Sequence, residues 1–430
     1  MAAVSQIRKG RPQDEVVVLE RSRWTSYAAC GIPFFVGGEL GDDVNALVAR
    51  SPEAHRRSGM DLRTSSEATA IDLDRRRVEV RDVEADTRYH LDFDRLLIGT
   101  GGRPMRPPLP GIDLDMVHGV HTLDDAQRLA RLAATGGLRV VVVGSGFIGI
   151  EMAEALARRE IPTVVLERLD QPLAILDPDL AGRVAEAVCA GGVDLRTGAE
   201  VVGFEPGAVH TATGTVEADL VILGIGTAPN SDLAGAAGLE LGVRGAIRVD
   251  DHQRTSAEGV YAAGDCTETQ HLVTGERVHV PLGTYANKQA RVAGINLGGG
   301  DARFPGVLGT AITRFGELEI ARTGASSDEA TRAGFDAVAI TIDASTRAHY
   351  YPGASPITVR LLAERGTARV LGAQILGGPG AGKRIDTCAV AIAAQWTLQD
   401  LLDADLAYAP PFSPVWDPVA IAAREGLKLV

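Results

Sequence analysis

Apolar residues in this chain gather in short unbroken runs that end in glycine or in an acid. Arg139–Val143 (RVVVV) is apolar after its first residue, and Thr163–Glu167 (TVVLE) ends in a carboxylate. Runs without alternation predict strands covered on both faces, as parallel sheets require. Between these two, Gly144-Ser-Gly-Phe-Ile-Gly149 reads as a glycine turn and Ile150–Arg159 as a helix. Strand, turn, helix and strand in that order make a βαβ unit. Ahead of it, Leu123–Ala134 carries the period of an amphipathic helix. Behind it, Ala218–Gly226 (ADLVILGIG) is another strand running into glycine.

The same grammar is written earlier. Residues 2–10 read as the tail of a helix, Glu15–Glu20 (EVVVLE) as a buried parallel strand, and residues 61–95 as an antiparallel excursion of short charged strands. Asp94–Arg103 (DRLLIGTGGR) echoes the later strand-into-glycine pattern, so two related nucleotide-binding units are expected, starting near residues 1 and 138. The proline-rich stretch Pro104–Gly111 marks a boundary. Gly259–Asp265 (GVYAAGD) is a strand ending in Gly-Asp, and Thr284–Leu297 a helix. From about residue 306 the texture changes to Val-, Ile- and Thr-rich strands, then helices at 381–397 and 417–426, a separate α+β domain. The fold class is α/β, with two Rossmann-like nucleotide-binding domains and a C-terminal α+β domain.

A length of 430 residues fits two or three domains. The net charge of −13 argues against nucleic acid, which needs a basic face, and no basic run suggests a membrane surface. The longest apolar stretch, Leu138–Leu156, is broken by three glycines and two glutamates and is no membrane span. Four scattered cysteines make neither a disulfide framework nor a CxxC zinc pattern, so a reducing cytoplasm is expected. The histidines form no HxH or HxxxH pair, and no metal site is expected.

GSGFIG followed by Glu167 is a dinucleotide fingerprint in its full context. Gly144 makes the tight turn, Gly146 lets backbone N–H groups approach a pyrophosphate, and Gly149 lets the helix pack on the strand. Glu167 is placed to accept from a ribose 2′-OH and to repel a 2′-phosphate, which favours NADH. Arg168 beside it is able to pair with that phosphate. Glu20 ends the first strand as Glu167 ends the later one and should hold a second dinucleotide's ribose, although a solvated strand-end acid has the same look. Asp265 is positioned either to accept from the ribityl chain of a flavin or to cap the next turn. Cys30 sits in the turn-forming segment Ser26-Tyr-Ala-Ala-Cys-Gly-Ile-Pro33 just after a nucleotide strand, with no second cysteine near it. Buried structural thiols are the commoner fate of cysteine. A lone redox thiol, by contrast, must cycle through a mixed disulfide, a persulfide or a sulfenic acid. Cys189, on an apolar helix face, Cys266 and Cys388 read as structural.

With these motifs in hand, the chain resembles the pyridine nucleotide-disulfide oxidoreductases, in their single-cysteine branch of coenzyme A-disulfide reductases, NADH oxidases, NADH peroxidases and persulfide reductases. The resemblance runs nearly end to end, through SYAACGIPFFVGG, LLIGTGGRP, VVVGSGFIGIEMAE, GVYAAGD, PLGTYANKQARVAG, HYYPGASP, GKRIDTCAVAI and DLAYAPPFSPVWDPV. It implies an FAD-binding domain of residues 1–112 and 240–305, an NAD(P)H-binding domain of 113–239, and a dimerisation domain of 306–430. It implies a homodimer in which Tyr408, with Tyr350 or Tyr351, reaches the partner's active site. Cofactor contacts implied are Glu20, Arg21, Ser26, Pro33, Thr100, Gly101, Gly264, Asp265, Thr284 and Ala286 for FAD, and Gly144, Gly146, Ile148, Gly149, Glu167 and Gly226 for NADH or NADPH. Gln6, Lys9 and Ser26 match positions that touch coenzyme A. Ala29 departs from the asparagine usual before the cysteine in coenzyme A-disulfide reductases.

The family begins with a strand and a glycine loop, about a dozen residues, that hold the FAD pyrophosphate. Here the chain starts inside the helix that follows. A start assigned too far downstream is the expected explanation, and poor FAD binding by the chain as written the expected consequence. The implied cycle passes two electrons from NAD(P)H through flavin to Cys30, whose surroundings are expected to lower its thiol pKa. The leading reading is reduction of a coenzyme A disulfide or persulfide. Its rivals are an NADH oxidase or peroxidase using a sulfenic acid, and a non-catalytic redox-sensing nucleotide-binding protein.

Overall fold

The computed structural model describes residues 1–430. Its central sheet is the one the apolar runs announce. Val140–Val143 lies between Thr163–Leu166 and Leu220–Leu223, with Asp194–Arg196 and Val117–His118 at the edges, and all neighbours are parallel. The helix of the glycine turn starts earlier than its sequence suggests, at Phe147 and not Ile150, and runs to Ala157. Gly146 is its N-cap, so the turn ends there and Gly149 belongs to the helix. A Cβ on Gly149 would stand 2.0 Å from the Gly144 carbonyl oxygen, which is why that helical position is glycine. Leu123–Ala134 is helical throughout, opened by a reciprocal capping box between Thr122 and Asp125.

The N-terminal unit departs further from expectation. Ala2–Gly10 is a helix packed on helix Gly283–Leu297 so closely that a Cβ on Gly294 would meet the Ala3 carbonyl oxygen at 2.4 Å. The strand expected at Glu15–Glu20 is Val17–Leu19, and it is half-buried, because only Asp61–Arg63 pairs with it. That pairing is parallel, so the antiparallel excursion begins only at Ser66–Asp72 and continues through Arg77–Asp82 and Thr87–Asp92. A second parallel pair joins Val260–Ala262 to Leu96–Ile98, and the two pairs share no ladder.

From Ala311 to Gly377 an antiparallel sheet runs in the order 311–315, 318–324, 370–377, 356–364, 337–345. The helix expected at 381–397 is shorter, Ile385–Ala393, and a separate helix Leu398–Leu402 follows it, with Thr397 capping a new start. Pro418–Gly426 closes the chain. No helix is long and apolar enough to cross a membrane.

One core ties these pieces to the cysteine. Ile32, Phe35 and Val36, just after Cys30, share a buried cluster with Leu123, Ile150 and Leu156 of the parallel-sheet unit and with Phe315, Ile320 and Leu376 of the antiparallel one. Burying three such side chains contributes about 1.5–3 kcal/mol each. The Cys30 turn is therefore held by all three parts of the chain at once.

Candidate active site

Cys30 lies in a tight turn, Ala29–Gly31, that leads into the short helix Ile32–Val36. Gly31 gives room to Leu47, since a Cβ would fall 2.3 Å from a Leu47 methyl carbon and displace that side chain. The far end of that helix is clamped by Arg159, whose Nε donates to the Val36 carbonyl at 2.6 Å. The residue itself is exposed and its thiol free. Its pKa runs opposite to expectation. Burial by the surrounding chain, then Glu151 and Asp265, pushes the thiol up, and a backbone hydrogen bond only partly opposes them. Cys189 is also corrected: it lies near the end of helix Pro178–Ala190 and faces outward, exposed. Cys266 and Cys388 are fully buried, and burial holds the Cys388 thiol at about 12.

Glu151 is a residue that sequence reasoning passed over. Burial raises its carboxyl, and the Thr313 hydroxyl donates to its Oε1 at 2.9 Å from the antiparallel domain. Two glutamates, Glu151 and Glu154, inside an otherwise apolar helix were the available signal. His55 was missed as well. It is buried, and its Nε2 lies 2.9 Å from the Ser26 hydroxyl, where Ser26 takes a left-handed φ of 52°.

The glycine turn fits a dinucleotide. Gly144 has φ 92°, a conformation only glycine adopts cheaply, and the N-cap Gly146 provides no side chain to satisfy the helix's first N–H groups. Those donors face outward at the positive end of an 11-residue helix, where a pyrophosphate binds well. Glu167 is locked beside them. Its Oε2 accepts from the Ser145 N–H and hydroxyl at 2.8 and 2.7 Å, and its Oε1 accepts from the Leu169 N–H at 2.9 Å. Arg168 is exposed, Ile148 packs into the shared core, and Gly226 has φ 102°.

Residues expected around FAD are gathered in part. Burial pushes the Asp265 carboxyl up, with His121 and His279 drawing it back. Gly264, φ 88°, lies against Ala286 in the first turn of helix Gly283–Leu297. That helix has no side-chain cap, and Gly283 and Thr284 are exposed, leaving its N–H donors open. These groups fit a flavin. Gly101 has φ 68°, Thr100 donates its hydroxyl to the Asn230 carbonyl, and Pro33 is buried in the second position of the Cys30 helix. Glu20 spends one oxygen on the Ser22 N–H at 2.8 Å, and Arg21 is largely exposed, 3.9 Å from Glu67.

Gln6 and Lys9 lie on the first helix, with Lys9 exposed, while their neighbour Arg8 is tied to the carbonyls of Ser58 and Gly59. Tyr350, Tyr351 and Tyr408 are not brought to the chain's own Cys30. They stand on loops of the antiparallel domain, 67%, 36% and 47% exposed, and Phe412, Val415 and Trp416, which follow Tyr408, are exposed as well. Burial and the adjacent Tyr350 phenol raise the Tyr408 pKa.

A nucleotide turn, an open flavin-type helix end and an exposed-cysteine turn in one chain are the features of a flavin- and nicotinamide-dependent oxidoreductase. The chain belongs to the pyridine nucleotide-disulphide oxidoreductase family, which it matches over residues 1–290, with that family's dimerisation domain over residues 310–419. The family uses FAD and NAD(P)H. The chain is 37% identical to an NAD(P)H sulfur oxidoreductase (CoA-dependent) of Pyrococcus abyssi, over 99% of this chain and 95% of that protein. Among solved structures it is similar to an NAD-dependent persulfide reductase from A. fulgidus, with a TM-score of 0.95, 37% identity, and 100% of this chain and 81% of that one covered. Reduced Bacillus anthracis CoADR-RHD matches at a TM-score of 0.96 and 31% identity, over 100% of this chain and 78% of that one.

Proposed function

We propose that this enzyme uses Cys30 as its single redox thiol to reduce a disulfide or persulfide of coenzyme A, at the expense of NADH or NADPH, as a homodimer in the cytoplasm. The observation that carries the reading is Cys30, a free and exposed thiol in a turn whose following helix is packed against the glycine-turn helix. Relatives named for sulfur and persulfide reduction support the substrate class.

FAD, held by Gly264, Asp265 and the open end of helix Gly283–Leu297, would supply the electron pair taken from NAD(P)H. The remaining chemistry belongs to the chain. The Cys30 thiolate attacks one sulfur of the substrate S–S bond. A new Cys30–S bond forms, the old S–S bond breaks, and the leaving thiolate carries away its electron pair. Two electrons and a proton then split the mixed disulfide into Cys30 thiolate and free thiol. Tyr408 and Tyr350 or Tyr351 of the second subunit serve as hydroxyl donors to the leaving sulfur. Burial raises the Glu151 carboxyl, and its nearness to Cys30 makes it one of the groups that push the thiol up. Domain limits at 112, 240 and 306 follow the same reading, and Gln6, Lys9 and Ser26 are its coenzyme A contacts.

The test is Cys30→Ser, with mass spectrometry of the resting wild-type enzyme. Turnover of coenzyme A disulfide should fall to background while bound flavin is retained, and the wild type should carry a coenzyme A adduct on Cys30. A sulfenic or sulfinic acid there would favour the oxidase or peroxidase chemistry. Full reductase activity in Cys30→Ser would end the single-thiol reading.

A further inference from the structure

Two separate loops of the antiparallel domain carry the exposed tyrosines. One follows Thr346 and holds Tyr350 and Tyr351, and the other runs from Tyr408 to Trp416. Directly between them runs one backbone link, the Ala348 N–H donating to the Pro410 carbonyl at 3.3 Å. A much stronger link comes from a third element. Arg384, immediately before helix Ile385–Ala393, points its guanidinium between the loops. Its Nη2 donates to the Thr346 carbonyl at 2.6 Å and to the Phe412 carbonyl at 2.8 Å. Its Nη1 donates to the Gly380 carbonyl at 2.5 Å, and its Nε to Asp417 Oδ2 at 2.9 Å. Arg384 and Asp417 side chains are only 12% and 13% exposed.

Each anchor is itself fixed. Asp417 caps the final helix by accepting from the Val419 N–H at 2.9 Å, and it accepts the Ser413 hydroxyl at 3.2 Å. The turn Gly380–Gly382 is clamped by Glu319, which accepts both of its glycine N–H groups at 3.0 and 2.7 Å. A planar fork of five donors is suited to holding carbonyls that lie in different directions, and a lysine ammonium has no comparable geometry.

We infer that Arg384 is a positioning residue for the oxidative half of the cycle: it joins the Tyr350–Tyr351 loop and the Tyr408 loop into one rigid donor unit. The inference rests on the reading above, in which those tyrosines serve the partner's Cys30.

The experiment compares Arg384→Lys, the tyrosine variant Tyr350→Phe/Tyr351→Phe/Tyr408→Phe, and their combination, as flavin-loaded dimers turning over coenzyme A disulfide. In Arg384→Lys, kcat should fall about 10²-fold, the size of loss that misplacing a reacting group produces, with the KM for NADH moved less than about twofold. In the tyrosine-free background the same change should cost less than about twofold, because the groups it positions are gone. A full-sized loss in that background, or wild-type kcat in Arg384→Lys beside impaired tyrosine variants, would overturn this inference and leave the proposed function standing. Wild-type turnover in the tyrosine variant would sink the tyrosines' role and this inference with it. If Arg384→Lys gives no folded dimer, Asp417→Asn, which keeps the guanidinium and weakens one of its anchors, is judged by the same two criteria.

Discussion

Replacing Glu167 with Gln is a sharp test of the nucleotide site, because it changes charge and donor pattern but hardly any volume. The carboxylate accepts three local hydrogen bonds, two from Ser145 and one from Leu169. An amide has one oxygen and one NH₂ group, so whichever way it turns, an N–H must face another N–H. The better orientation keeps the oxygen on Ser145 and gives up the Leu169 bond. The hydrogen bond to a ribose 2′-OH also loses its charge, which is worth about 1.4 kcal/mol, or about tenfold in kcat/KM for NADH. NADPH responds in the other direction. Two unit charges about 4 Å apart repel by about 4 kcal/mol at an effective dielectric of about 20. Glu167→Gln removes that repulsion, and the exposed Arg168 is left to attract the 2′-phosphate. The ratio of kcat/KM for NADH to that for NADPH should therefore fall by at least about tenfold. Steady-state rates with both nucleotides, at fixed coenzyme A disulfide, measure it. A wild type that prefers NADPH, or a ratio that Glu167→Gln leaves within about twofold, would refute the assignment of Glu167 to the ribose.

Two further predictions concern stability and assembly. Asp177 is buried, and although burial opposes its charge, hydrogen bonds from Ser327 and Gln374 and the Arg360 guanidinium outweigh that and hold its carboxyl below the ordinary range. Asp177→Ala should cost about 2–3 kcal/mol, less than for an isolated buried pair because Asp179 still binds Arg360 at 2.6 Å. Since the folded pKa is depressed, this advantage should be complete above about pH 5, and lost as pH falls below about 4 and through the folded value. Denaturant melts across pH check it, and a penalty in Asp177→Ala that is unchanged at low pH would contradict the assigned charge. Phe412, on the Tyr408 loop, is 75% exposed. Phe412→Asp should yield a monomer by light scattering, with turnover lost alongside, whereas an active dimer would place the subunit contact elsewhere.

Features written in consecutive residues were legible from the chain alone. The Leu123–Ala134 helix carries its own period and its own cap, and the glycine turn, its helix and Glu167 lie within one short βαβ segment. Their hydrogen bonds are local, so neighbouring residue types suffice to specify them. Features made by distant residues were not. Glu151 meets Thr313 across 162 positions, and the direction of the Cys30 pKa follows from burial by the surrounding chain and then from Glu151 and Asp265, both far along the sequence. Cys189 was misread because a helix's period does not say which of its flanks another element covers. Arg384 shows the limit most plainly. Its sequence neighbours describe a helix start, while its work is to bind carbonyls of Thr346 and Phe412 that only tertiary packing brings within reach. Backbone carbonyls carry no residue signature, so their partners are decided by where the chain passes in space.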